Sequence, residues 1–90
     1  MKKSIIPGGD ENECFLCHRW GPEQRHHCLH GPDRNMAEKY GLTVRLCVEC
    51  HTKLHDQGEH DWGLKQVAQR AFEKKYSSEK WMEVFGRNYL

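Results

Sequence analysis

Long apolar runs are missing from this chain. With cysteine set aside, no stretch of consecutive hydrophobic side chains exceeds two residues in 90. A membrane-crossing helix needs about 20, so none is expected, and no membrane partner either. Charge of one sign is also missing: Lys and Arg total 14 against 13 Asp and Glu, for a net charge of +1. The signs are mixed along the chain, six basic and five acidic side chains over residues 14–58 and the same over 59–90. No basic block or tail marks a nucleic-acid footprint, so polyanion binding has to come from local arrangement. Apolar content is low, 37% with a mean hydropathy of -0.94. A chain of this length forms one small domain and buries only about 60–65% of its unfolded surface. Such a marginal core usually leans on disulfides or a structural metal.

An export signal is lacking as well. The opening Met1-Lys2-Lys3-Ser4-Ile5-Ile6-Pro7-Gly8-Gly9 offers two lysines, but Pro7 interrupts the apolar stretch after two residues, where an export signal needs about 7–15. Residues 1–12 therefore read as a flexible leader, and the expected compartment is the cytoplasm, where thiols stay reduced.

Cysteine and histidine are plentiful, five and seven. The odd cysteine count and the reducing compartment both disfavour a disulfide framework. Four of the five form two C-x-x-C pairs, Cys14-Phe15-Leu16-Cys17 and Cys47-Val48-Glu49-Cys50. The two-residue gap lets both thiolates of a knuckle turn onto one ion at about 2.3 Å, and two knuckles complete a tetrahedral structural zinc site. A thioredoxin-like pair needs a βαβ setting that is not visible. Each pair is also followed by His (His18, His51), which is the c-type haem attachment pattern, but that attachment follows export. Cys28 is left over and reads as a small core residue.

The element pattern is α+β. A short strand is expected over residues 24–29 after a Gly21-Pro22 turn, then loop with a helical turn near 36–40. Residues 42–46 alternate as a half-buried strand does and run into the second knuckle, where a helix starts near Val48 and ends at Gln57-Gly58. Leu64, Val67, Ala68, Ala71, Phe72 and Tyr76 follow the spacing of an amphipathic helix. Ser78 is the expected N-cap of a last helix with a Trp81, Met82, Phe85 stripe, closed by Gly86. The aromatics there read as core.

His26 and His27 are adjacent, and His51 and His55 lie four apart on the helix leaving the second knuckle. That spacing puts both imidazoles on one face, where they can share a metal. A zinc protease would need Glu after the first His of the pair, and Thr52 stands there. Taken with the knuckles, Cys14-x-x-Cys17, His26-His27 and Cys47-x-x-Cys50-His51 with His55, the pattern resembles the zinc-stapled subgroup of the HNH endonucleases, of ββα-metal fold, and is similar to small HNH proteins of phages and prophages. The resemblance covers residues 13–57 and implies a single domain over 13–90, with the ββα-metal core followed by a helical extension over 61–90. It implies that His26, His51 and His55 hold one catalytic divalent metal and that His27 is the general base for hydrolysis of DNA phosphodiester bonds, in a bacterial host cytoplasm. The family's central Asn, five residues before the second knuckle, is replaced by Leu42, and Asn35 is the nearest substitute.

Phosphodiester hydrolysis suits these groups. His can take a proton from water near neutral pH, and a divalent ion neutralises charge developing on phosphate and leaving oxygens. Three imidazoles favour Ni2+, Co2+, Mn2+ or Zn2+ over Mg2+, which can still work with oxygen ligands from water and substrate. Arg45 is a candidate phosphate clamp, with Arg25, Arg34 and Lys53 as further backbone contacts. His30 is expected at the surface or as a second contact, and His18 and His60 at the surface. The competing reading is a non-catalytic zinc-stapled module for nucleic acid or protein on the same scaffold. A targeting protein and a homodimer both stay open.

Overall fold

In a computed structural model, which describes residues 3–20, 23–58 and 60–90, two short strands form an antiparallel hairpin. Strand β1 (Glu23–His27) pairs with β2 (Thr43–Cys47), with Gln24 opposite Leu46, His26 opposite Val44 and His27 opposite Thr43. The connection carries a 3-10 turn (Gly31–Asp33) and helix α1 (Arg34–Tyr40), longer than the single turn the sequence suggests. Helix α2 (Val48–Gln57) follows β2 without a break, and α3 (Asp61–Lys75) and α4 (Ser78–Phe85) complete the chain. The architecture is α+β, a two-stranded sheet with four helices among the described residues. The expected Gly21-Pro22 turn lies outside them.

Local chemistry explains the element ends. Helix α2 starts inside the second knuckle because Cys47 is its N-cap, Sγ accepting from the Cys50 amide, and it ends at Gly58 in the left-handed region. Ser77, one residue earlier than expected, caps α4 by accepting the Lys80 amide at 3.0 Å. Strand β1 ends at His27, short of the expected residue 29, although the Cys28 amide still donates to the Leu42 carbonyl at 3.0 Å, and Cys28 and Leu29 are buried in the core.

The core runs from Leu29, Leu42, Val44 and Leu46 through Leu54 and Leu64 to Phe72, Trp81 and Phe85. Tyr40 at the end of α1 sets its ring edge-on to Phe72 at 5.1 Å, tying the hairpin connection to the C-terminal helices. Buried Gln69 pins the last residues: its amide donates to Glu73 and Asn88, and its carbonyl accepts the Tyr89 amide. Met82, expected in the core stripe, is exposed, while Trp81 and Phe85 are inside. No helix among the described residues is long and apolar enough to cross a membrane.

The leader reading needs correction for the described part of 1–12. Ile6 is buried, the Ile5 amide donates to the Gly41 carbonyl at 2.8 Å, and Ser4 Oγ donates to the Thr43 carbonyl at 2.6 Å. Gly41 sits at φ 71°, and a Cβ there would collide with the Lys3 main-chain oxygen. The two isoleucines, too few for a signal sequence, are enough to anchor this segment on the hairpin.

Candidate functional site

The two knuckles meet. Phe15 donates its amide to the Arg45 carbonyl at 2.8 Å, which fastens the first knuckle to β2, the strand that delivers the second. The first knuckle turns tightly, the His18 amide donating to the Cys14 carbonyl, with His18 itself left-handed at φ 63° and exposed. The Sγ atoms of Cys14, Cys17, Cys47 and Cys50 all lie within 4.8 Å of one another. Cys17 Sγ and Cys47 Sγ are 3.8 Å apart. A tetrahedral ion with bonds of about 2.3 Å sets its thiolates about 3.8 Å from one another, so these four residues can hold a structural metal such as zinc. Their electrostatics agree. Burial alone would raise the Cys14 thiol, but amide N–H groups of Cys17, Cys47 and Leu16 and the Cys17 thiol outweigh it and pull Cys14 down to about 6. Burial and the three neighbouring sulfurs push Cys50 up. Four thiols in this space want fewer protons than four, the condition a cation relieves. Cys28 stands apart, fully buried and pushed up to about 12 by burial, as a core residue would be.

The second cluster follows from strand alternation. Gln24 and His26 project from β1 toward α2, while Arg25 and His27 project toward α1. One turn apart on α2, His51 and His55 bring their Nε2 atoms to 2.9 Å. One ring nitrogen from each of His26, His51 and His55 lies within 4.8 Å of the other two. Imidazoles sharing an ion at about 2.0–2.1 Å place their nitrogens about 2.9 Å apart at a right angle and about 3.4 Å apart at the tetrahedral angle, and the His51–His55 spacing falls at the right-angle end. His26 is buried, and its Nε2 makes no hydrogen bond among the described residues. Gln24 Oε1 accepts from His51 Nδ1, which fixes the tautomer and leaves Nε2 with a lone pair, as the outer partners of metal-binding histidines do. Burial first, then the His30, His51 and His55 rings, pull His26 down to about 3. Burial and His55 lower His51. Both shifts run toward the neutral ring, the form that binds metal. The three imidazoles thus fit a divalent ion by donor set, spacing and orphaned nitrogen.

A cavity of about 190 Å³ opens over this cluster, lined by Arg25, His26, His27, His30, Arg34, His51 and His55. His27 is mostly covered, with Nε2 3.3 Å from Glu38 Oε2. Arg25 reaches the same carboxylate oxygen at 3.4 Å. The structure therefore gathers His26, His27, His51, His55, Arg25 and Arg34 in one place. It does not bring Arg45 or Lys53 there. Arg45 sits mid-strand, across from Arg25 and half-buried, away from the cavity wall. Lys53 is two residues beyond His51, about 200° around an α-helix, and pairs instead with Glu49 at 3.5 Å. Asn35 is exposed on α1 and Leu42 is a fully buried core residue, so neither takes up the position beside His27. Glu38 does.

Sequence reasoning missed Glu38, Gln24 and Asp61. Glu38 lies in the helical turn expected near 36–40, but nothing in the sequence aims it at His27. Gln24 has only its position two before His26 on a strand to betray it. His30 closes the cavity, its ring 5.2 Å from that of His26, and its Nε2 lies 2.8 Å from Asp61 Oδ1. Burial would raise Asp61, but its contacts with His30 and Lys65 hold it below the ordinary carboxylate range. Asp61 belongs to α3, far away in sequence, and nothing in the pattern links it to the histidines. Comparison of the chain with family models, curated proteins and solved structures finds no match.

Proposed function

We propose that this chain is a metal-dependent endonuclease of the HNH type that hydrolyses DNA phosphodiester bonds. The observation that carries the reading is the convergence of three imidazole nitrogens within 4.8 Å of one another in a cavity that His27 also lines. Arg25 and Arg34 on the same wall supply the cationic contacts for phosphate oxygens.

In this mechanism His26, His51 and His55 would hold one divalent ion, which would supply positive charge against the phosphate and the departing 3′ oxygen. His27 takes the proton of the attacking water. Glu38 Oε2 lies 3.3 Å from its Nε2, and a proton kept on Nε2 beside that carboxylate would leave Nδ1 as the acceptor. A carboxylate behind an imidazole fixes ring and tautomer and steadies the cation formed when the proton arrives. The water oxygen bonds to phosphorus as the bond to the 3′ oxygen breaks, the 3′ oxygen takes a proton from solvent, and the products carry 5′-phosphate and 3′-hydroxyl. Three nitrogens favour Ni2+, Co2+, Mn2+ or Zn2+ over Mg2+. The four cysteines would hold a structural zinc, stapling α2 to the hairpin.

The test is nicking of supercoiled plasmid by the zinc-loaded protein with Mn2+, Ni2+, Co2+ or Mg2+, beside His27→Ala. Loss of a general base costs about 10²–10⁴-fold in rate, and that loss is expected. Wild-type protein no faster than His27→Ala in every metal rejects the reading and leaves the zinc-stapled binding module in its place.

A further inference from the structure

The outer partners of the cavity histidines are sorted by charge. Three rings have one: His27 Nε2 lies 3.3 Å from Glu38 Oε2, His30 Nε2 lies 2.8 Å from Asp61 Oδ1, and His51 Nδ1 donates to Gln24 Oε1. The two rings backed by carboxylates stand outside the group of three nitrogens, and the ring backed by an amide belongs to it. Both carboxylates also meet a cation, Glu38 with Arg25 at 3.4 Å and Asp61 with Lys65 at 3.0 Å. Among the described residues no carboxylate lines the cavity itself, whose walls are histidines with Arg25 and Arg34.

Gln24 is placed to act on an ion through His51. It stands on the same face of β1 as His26, two residues away, and opposite Leu46, one residue before the cysteine that caps α2. The same stretch of strand therefore carries one candidate ligand and the support of a second. Of the three rings His26 is buried, His51 half-buried and His55 exposed. Packing holds the first, while His51 relies on its hydrogen bond. The charge of the partner matters as well. A carboxylate makes the imidazole in front of it more basic and a tighter metal ligand, and its negative charge offsets that of the ion. An amide oxygen orients the ring without that charge.

We propose that Gln24 is a positioning residue of the histidine site: its amide aims His51 Nε2 at the divalent ion and, being uncharged, leaves the ion's positive charge to an oxyanion in the cavity. This rests on the nuclease reading and goes beyond it by naming the side chain that loosens metal binding in favour of the pull on phosphate. Three imidazoles and an amide bring no negative charge to the ion, and Arg25 and Arg34 bring none either, so phosphate is the group that balances it.

The experiment uses the full chain with the cysteine site filled by zinc and the histidine cavity free. Co2+ is titrated near neutral pH into wild type, Gln24→Ala and Gln24→Glu and followed by its visible absorption. Inorganic phosphate is then added to each Co2+-loaded protein and followed by the same bands. Gln24→Ala, which loses the aim, binds Co2+ about 10–100-fold more weakly. Gln24→Glu, which keeps the acceptor and adds a charge, binds Co2+ about 10-fold more tightly and phosphate about 10-fold more weakly. A merely structural residue would not move the two affinities in opposite directions. Gln24 is exposed, so zinc content and the urea midpoint without Co2+ match wild type in both variants. Wild-type Co2+ affinity in Gln24→Ala, or a Gln24→Glu protein with Co2+ affinity not raised or phosphate affinity not lowered, overturns the proposal, as does a wild type that takes up no Co2+. Plasmid nicking by wild type is scored separately. Protein that shows the expected shifts but does not cut keeps the role of Gln24 and loses the nuclease, and protein that cuts while both variants bind like wild type loses only the role of Gln24.

Discussion

Cys17 and Cys28 separate a metal staple from ordinary packing, because the two ideas rank them in opposite order. Cys28 is fully buried and outside the thiol cluster; Cys17 is exposed and inside it. If cysteines here served only as small apolar residues, Cys17→Ala would fall within about 0.5 kcal/mol of wild type, as surface changes do. Cys28→Ala would then cost the more, about 1–2 kcal/mol for the sulfur-sized void. With zinc on four thiolates the order inverts. Structural zinc contributes about 10–16 kcal/mol in small domains, against a total stability of about 5–14 kcal/mol for a chain of this length. Forfeiting even a third of the metal's contribution costs about 3–5 kcal/mol, more than twice the Cys28 void. Urea unfolding of both variants and wild type at the same zinc excess, with zinc content measured on each, decides it. The expected result is Cys17→Ala unfolded or destabilised by at least about 3 kcal/mol and depleted in zinc, with Cys28→Ala zinc-loaded and mildly affected. A folded Cys17→Ala of wild-type stability refutes the staple.

Two further consequences follow from contacts in the cavity. Glu38→Gln and Glu38→Ala slow plasmid nicking by about 10–100-fold, the usual cost of losing a partner that orients a working imidazole, with KM and metal content unchanged; an unaltered rate in Glu38→Ala removes the carboxylate from the mechanism. Acid acts through His26, held near 3 in the folded chain against an ordinary 6.5. Between those values the unfolded chain binds a proton that the folded one does not, so stability is full above about pH 6.5 and declines toward pH 3. With the histidine cavity metal-free, the urea midpoint of wild type should fall between pH 6.5 and 5.5 by the equivalent of about 1 kcal/mol more than that of His26→Gln; parallel profiles contradict the burial of a neutral ring there.

Much of the site could be read in advance because its spacing is local. A two-residue gap between cysteines and a four-residue gap between histidines on a helix each fix a geometry that does not depend on the rest of the fold. The strand entering the second knuckle and the glycines closing α2 and α4 are equally local signals. What escaped depends on tertiary arrangement. Glu38 and Asp61 reach His27 and His30 across loops, and a carboxylate's partner is not encoded by its neighbours in sequence. Lys53 is near His51 along the chain, but helix geometry points it away from that ring and toward Glu49. Ile5 and Ile6 were too short a signal for a packed segment, which depends on Gly41 leaving room for the backbone. Leu42, where the resemblance would put Asn, is a core residue, and the carboxylate beside His27 comes from Glu38 of α1.

Metal content per chain bears most directly on the histidine cavity. Wild type and the His51→Ala/His55→Ala double variant are loaded with zinc, exposed to excess Ni2+ or Co2+, freed of unbound ions and analysed for elements. Two ions per wild-type chain and one, zinc alone, per double variant is the predicted result. One ion in both proteins, with the thiolates still occupied, contradicts it.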